Sequence, residues 1–202
     1  ACKKDKEMNR TQSHRINSNG AAINRQKLVH FKFDKKKYIG FEGDTLASAL
    51  LAHGVHLVGR SFKYHRPRGI FGCGSEEPNA LVRLIGDKSS EPNLRATQIE
   101  IYDGLIAESQ NRFPSLKIDL LSINNALRRF FPAGFYYKTF MWPTSFWMFY
   151  EKLIRKAAGL GKLSKKYHRP ERYEHKYAHC DLLVVGSGAA GLQTAIIAAK
   201  SG

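Results

Sequence analysis

The sequence predicts an α+β domain, a helical connection and the opening of an α/β unit, and three observations carry that prediction. Two apolar runs lead into an amphipathic stretch within residues 27–54, more short apolar runs follow up to residue 104, and Gly186, Gly188 and Gly191 separate an apolar run from a helix-forming one. The implied organisation is a basic, disordered tail over 1–25, a first domain over 26–104, a connecting helical segment over 105–179, and the first strand, turn and helix of a second domain over 180–202.

In the first domain, KLVHFKF alternates so that Val29, Phe31 and Phe33 share one side, and DKKK turns the chain into YIGF, which predicts a hairpin. GDTLASALLAHG then places Leu46, Ala49, Leu50 and His53 at helical spacing, with Asp44 as the candidate N-cap and Gly54 as the stop. VHLVGR, ALVRLI and ATQIEIYDG supply further strand candidates. Two strands, a helix and then more strands suggest the small α+β architecture called β-grasp.

Beyond residue 104, DLLSINNALRRF predicts a helix, and TSFWMFYEKLIRKAAG predicts another with Thr144 as cap and Gly159 as stop. The aromatic run FYYKTFMWPTSFWMFY is interrupted by Lys138, Thr139, Pro143, Thr144 and Ser145, which favours burial between domains over a membrane surface.

Asp181–Val185 reads as a buried parallel strand, and Ala189–Lys200 as a helix. The glycines between them fall at G-x-G-x-x-G spacing. Gly186 suits a tight turn, Gly188 a close approach of backbone to a diphosphate, and Gly191 close contact of helix and strand. The helix N-terminus adds free N–H groups and partial positive charge. This context predicts a Rossmann-type dinucleotide site made by Gly186, Ser187, Gly188, Ala189, Ala190 and Gly191. Such a unit runs about 30 residues, whereas 22 remain from Asp181 onward, so the chain is expected to be the front of a longer protein.

The net charge of +16 raises nucleic acid as a partner, but its distribution argues otherwise: residues 1–37 carry net +8 and residues 152–176 net +7, leaving the middle almost neutral. A nucleic-acid partner is therefore not expected, and neither is a membrane, because no run reaches a spanning length of about 18 apolar residues. The N-terminus also lacks a signal-type apolar region. Cys2, Cys73 and Cys180 are scattered and odd in number, which suits a reducing cytoplasm better than a disulfide framework. His53, His56, His175, His179 and Cys180 lie too far apart along the chain to gather as zinc ligands. No catalytic residue is assigned.

The loop GRSFKYHRPRGIFGCGSEEPNALV is the most informative part of the first domain. A plant-type [2Fe–2S] loop carries C-x4-C-x2-C; here that spacing, set just before ALVRLI, falls on Gly72, Glu77 and Ala80, with Cys73 one residue off register. The expectation is a ferredoxin-like β-grasp domain without the metal. Arg60, Lys63, His65, Arg66 and Arg68, interleaved with Phe62 and Tyr64, make a basic patch. It suits either a phosphate-bearing partner or a rigid loop bonded to backbone and to carboxylates such as Glu76 and Glu77.

The ordered phrases GDTLASALLAHGVHLVGRSFKYHRPRGI, EEPNALV, ATQIEIYDGLIAESQN, AGFYYKTFMWP and AHCDLLVVGSGAAGL resemble the N-terminal part of sarcosine oxidase alpha subunits, over residues 27–202. The resemblance implies a cytoplasmic heterotetrameric flavoenzyme that oxidises N-methylglycine to glycine and hydrogen peroxide, passing a one-carbon unit to tetrahydrofolate. It implies NAD at Gly186, Gly188 and Gly191, with FAD, FMN and tetrahydrofolate held elsewhere in the complete enzyme. It also implies beta, gamma and delta subunits as partners and a small amine as substrate. A related opine or amine dehydrogenase is the neighbouring alternative, and a basic nucleic-acid-binding module the alternative of another class.

Overall fold

A computed structural model describes residues 12–16, 23–86, 90–130, 142–157 and 174–201. The chain divides into two compact units, Ala1–His168 and Arg169–Gly202.

The first unit is built on a mixed five-stranded sheet. Strands β1 (Asn24–Phe33) and β2 (Lys36–Glu42) form the expected hairpin, paired antiparallel from Val29↔Gly40 to Phe33↔Lys36. The turn is tight because Asp34 and Lys35 both take left-handed backbone, with φ of 47° and 69°, a geometry whose twist matches that of the flanking strands. Helix α1 (Leu46–Ala52) follows. A two-residue pair, β3 (Gly59–Arg60) and β4 (Pro67–Arg68), stands apart from the main sheet. Strands β5 (Leu81–Ile85), β6 (Ser90–Arg95) and β7 (Ile106–Ser109) complete the sheet in the order β2-β1-β7-β5-β6, with β1 parallel to β7 and the other pairs antiparallel.

Alternation puts Val29, Phe31 and Phe33 in the core, where they join Leu46, Ala49 and Leu50 of α1, Val82 of β5 and Ala107 of β7. This is the sheet-around-one-helix arrangement expected of a β-grasp domain. The first N–H groups of α1 lack partners within the helix; Leu46 donates to Ile99 O at 2.7 Å and Ala47 to Ala96 O at 3.0 Å, so residues 96–101 lie across the helix start.

Several expectations change here. Thr45, not Asp44, caps α1, its hydroxyl accepting from Ser48 N at 3.2 Å. Asp44 is instead fully buried and bonds Phe41 N, Ser48 Oγ and the Arg15 guanidinium. His53 lies just past the helix and contacts Ile39 O at 2.7 Å. ATQIEIYDG forms a turn and a lone bridge of Glu100 to Thr45 instead of a strand, because its backbone serves the helix start. The boundary expected at 104 falls too early: β7 is the central strand and belongs to the sheet. The tail expected over 1–25 includes residues 12–16, where Gln12 is buried and bonds Ile39 O, and its last two residues open β1.

The expected helix at 119–130 is broken into a 3-10 turn at Leu120–Ser122, α2 (Ile123–Ala126) and a second 3-10 turn at Arg128–Phe130. Helix α3 (Trp147–Ala157) is entered through a 3-10 turn, Thr144–Phe146, so Thr144 does not cap it. Its expected stop, Gly159, and most of the aromatic run before Trp142 lie outside the described residues.

In the second unit α4 (Ala189–Ser201) forms as expected. Asp181–Val185 is not paired as a strand, and Leu182, Leu183 and Val185 are exposed, Val185 by 87%. An apolar run becomes a buried strand only when neighbours take its amides and cover its faces, and none of the described residues does so here.

Candidate functional site

The loop from Gly69 to Ala80 joins β4 to β5 and is organised by two adjacent carboxylates. Glu77 is 1% exposed. Its Oε2 accepts the N–H of Phe71 at 2.7 Å and that of Gly72, and its Oε1 accepts those of Asn79 at 2.7 Å and Ala80 at 3.0 Å. Burial disfavours the charge, but the backbone N–H groups of Gly72, Asn79, Phe71 and Ala80 outweigh it and hold the Glu77 carboxyl below the usual carboxylate range. Exposed Glu76 turns outward and accepts from Cys73 N and Gly74 N, both at 2.9 Å. Its own backbone N–H, then those of Gly74 and Cys73, lower its carboxyl too. Thr97 Oγ1 donating to Gly74 O at 2.7 Å and Arg95 Nε donating to Glu77 O at 3.1 Å fasten the loop to the residues beyond β5.

The basic patch is used largely within the fold. Arg60 donates to Leu116 O at 2.9 Å and His65 O at 2.8 Å, and its Nε lies 3.5 Å from Asp119. Buried His65, at φ 53°, contacts Asp119 Oδ2 through Nδ1 at 2.7 Å, while Asp119 Oδ1 accepts from Phe113 N and Leu121 N. Arg66 donates to Asn125 Oδ1 and stacks over Tyr64; Arg68 donates to Asn79 Oδ1; Lys63 lies over Tyr64. Among the described residues the carboxylate that Arg60 and His65 face is thus Asp119, not Glu76 or Glu77. Sequence reasoning missed Asp119, although an Asp immediately before the Leu120–Ser122 turn is a capping signal.

At the glycine turn, Gly186 has φ +114°, and a Cβ on Gly191 would fall 2.0 Å from Gly186 O, so the start of α4 packs directly on the turn. Leu192 N donates to Gly188 O at 2.9 Å. Gly186, Ser187, Gly188, Ala189 and Ala190 are exposed and Gly191 is half-buried. No group of three or more His, Cys, Asp or Glu able to hold a metal ion occurs among the described residues.

Residues 26–112 match the family described as "2Fe-2S iron-sulfur cluster binding domain". The chain is 54% identical over 191 residues to sarcosine oxidase subunit alpha of Rhizobium meliloti, covering 94% of this chain and 19% of that protein. The chain belongs to the sarcosine oxidase alpha-subunit family. It is 34% and 32% identical to the subunits alpha from two Corynebacterium strains, covering 91% and 96% of this chain. It therefore spans less than a fifth of the length of these relatives, 19%, 14% and 16%. Among solved structures it is similar to L-proline dehydrogenase from P. horikoshii, at 30% identity and TM-score 0.35, over 43% of this chain and 16% of that one.

The domain match overturns the cofactor expectation of NAD at the glycine turn, with FAD, FMN and tetrahydrofolate elsewhere: the matched description points to an iron–sulfur group. The family resemblance and the residues of the loop then part company. A plant-type cluster takes four thiolates, and the matched region of this alpha-subunit relative contains one cysteine, Cys73. At the thiolate spacing stand Gly72, Glu77 and Ala80, and the Glu77 carboxylate is committed to backbone N–H groups on both oxygens. The residues present do not fit the group.

Proposed function

We propose that this chain is part of the alpha subunit of an enzyme that oxidises sarcosine, N-methylglycine, to glycine and hydrogen peroxide, working in the cytoplasm with beta, gamma and delta subunits. The observation that carries the proposal is 54% identity, over 94% of the chain, to a protein named sarcosine oxidase subunit alpha. Within that enzyme residues 26–112 act as an accessory domain, since buried His65 and half-buried Arg60 face Asp119, fasten loops and present no nucleophile. Residues 180–202 open a Rossmann-type domain, and the turn at Gly186, Ser187, Gly188, Ala189, Ala190 and Gly191 receives a phosphate-type anion on main-chain N–H groups. The close packing of Gly191 on Gly186 supports that assignment.

The test is purification of the full-length subunit with its associated chains and assay of peroxide release. Sarcosine-dependent peroxide is the expected result; turnover of an opine or another secondary amine without peroxide refutes the proposal. Titration of pyrophosphate while following the six turn amides tests the anion site separately, with unmoved amides counting against it.

A further inference from the structure

We infer that the Glu77 carboxylate is the anion around which residues 71–80 fold, occupying the place that a ferredoxin-like loop gives to its cluster. Three observations converge on it. Glu77 stands at the middle position of the thiolate spacing, and the residues at the two flanking positions, Gly72 and Ala80, both donate their N–H to it. Phe71 and Asn79 supply the other two donors, so each oxygen is bonded twice. The side chain is 1% exposed, and a buried carboxylate persists only where its charge is met by hydrogen bonds or a partner. The N–H dipoles converging on one point form an anion-binding concavity, here filled from within the chain.

Glu76 extends the arrangement. Its Oε1 takes the N–H groups of Cys73 and Gly74, so two neighbouring carboxylates between them satisfy residues 71–74, 79 and 80. A Cβ on Gly72 would lie 2.7 Å from Glu76 Oε1, so a side chain at the first thiolate position would compete with this second carboxylate. The loop thereby holds a fixed negative centre, and Cys73 beside it is exposed and belongs to no group of three or more possible metal ligands among the described residues.

The inference is tested on the full-length subunit by backbone hydrogen exchange, with iron and acid-labile sulfide measured in the same preparations. In E77Q one oxygen remains to accept while the amide NH2 opposes the other pair of donors. Exchange at Phe71, Gly72, Asn79 and Ala80 is expected to accelerate by about tenfold or more, with β1 and β5 unchanged. Iron and sulfide are expected to stay below about 0.1 per chain after anaerobic reconstitution with ferrous iron and sulfide, against two of each for a complete cluster. Should E77Q fail to accumulate, E77D keeps the charge but withdraws it by one methylene, and the same four amides must accelerate. Unchanged exchange in either variant, or two irons and two sulfides per chain, overturns the inference. Sarcosine turnover is not a readout here, so failure of this inference is distinguishable from failure of the proposed function.

Discussion

Replacing Asp44 by Ala removes the acceptor at the centre of the contact between residues 12–16 and the start of α1. Its Oδ2 takes Arg15 Nη2 at 2.6 Å and Phe41 N at 2.9 Å, and its Oδ1 takes Arg15 Nη1 at 3.1 Å and Ser48 Oγ at 2.8 Å. The carboxylate is fully buried and the Arg15 side chain is 10% exposed, so truncating one partner strands the other charge out of water. Breaking such a pair costs about 3–5 kcal/mol. With a urea dependence of about 2 kcal/mol per molar, the unfolding midpoint should fall by roughly 1.5–2.5 M. R15A should cost a similar amount, although it also uncovers the Phe41 ring, over which the guanidinium sits at 4.9 Å. The D44A/R15A double variant should lose about 1–3 kcal/mol less than the sum of the singles, because the second truncation removes a group already orphaned. A D44A midpoint shift under about 0.5 M, or strictly additive single variants, would refute the claim that the pair acts as one buried unit.

Leu50, fully buried between α1 and the sheet, should cost about 2–5 kcal/mol when cut to Ala, read as a lower urea midpoint. Glu77 is held below the usual carboxylate range, so its stabilising effect is complete above the unfolded-state value of about 4.3 and is lost as pH falls through the lower folded value. The stability gap between wild type and E77Q should therefore be flat from about pH 5 upward and close at lower pH; a gap that widens on acidification contradicts the assignment. Burial first, then Asp34, raises the Tyr38 phenol, and its ultraviolet titration should run above the ordinary value of about 10. G191A places a methyl carbon 2.0 Å from Gly186 O, so the turn must open and Leu192 N should lose its bond to Gly188 O, seen as faster exchange of that amide.

What the sequence disclosed and what it hid follow from how locally each element is determined. Val29, Phe31 and Phe33 were legible because alternation alone selects the buried face of β1. SEPNLR gave no strand signal, since Pro92 and its polar neighbours suit only an edge, and β6 is an edge strand held by its pairing with β5. ATQIEI alternates as well as β1 does, yet its carbonyls are taken by the helix start, a tertiary demand with no local trace. The run DLLVV shows the converse: composition suited to a buried strand, with its leucines and Val185 exposed among the described residues.

The candidate site divides along the same line. Spacing alone located the loop and showed that Gly72, Glu77 and Ala80 stand where thiolates belong. It left Glu76 and Glu77 equivalent, two neighbouring acids in a polar loop, either of which would ordinarily face water. Their difference arises from the course of the backbone. Gly72 and Gly74 let the chain pass close to one carboxylate while the β5 start turns the N–H groups of Asn79 and Ala80 toward the other. A Glu that swings inward by one residue's register exchanges hydration for four N–H donors, and only a pre-curved loop offers four at once. The curvature and the buried charge thus require each other: without the carboxylate, four converging N–H groups would lose their acceptor, and without the curve the carboxylate would stay in water.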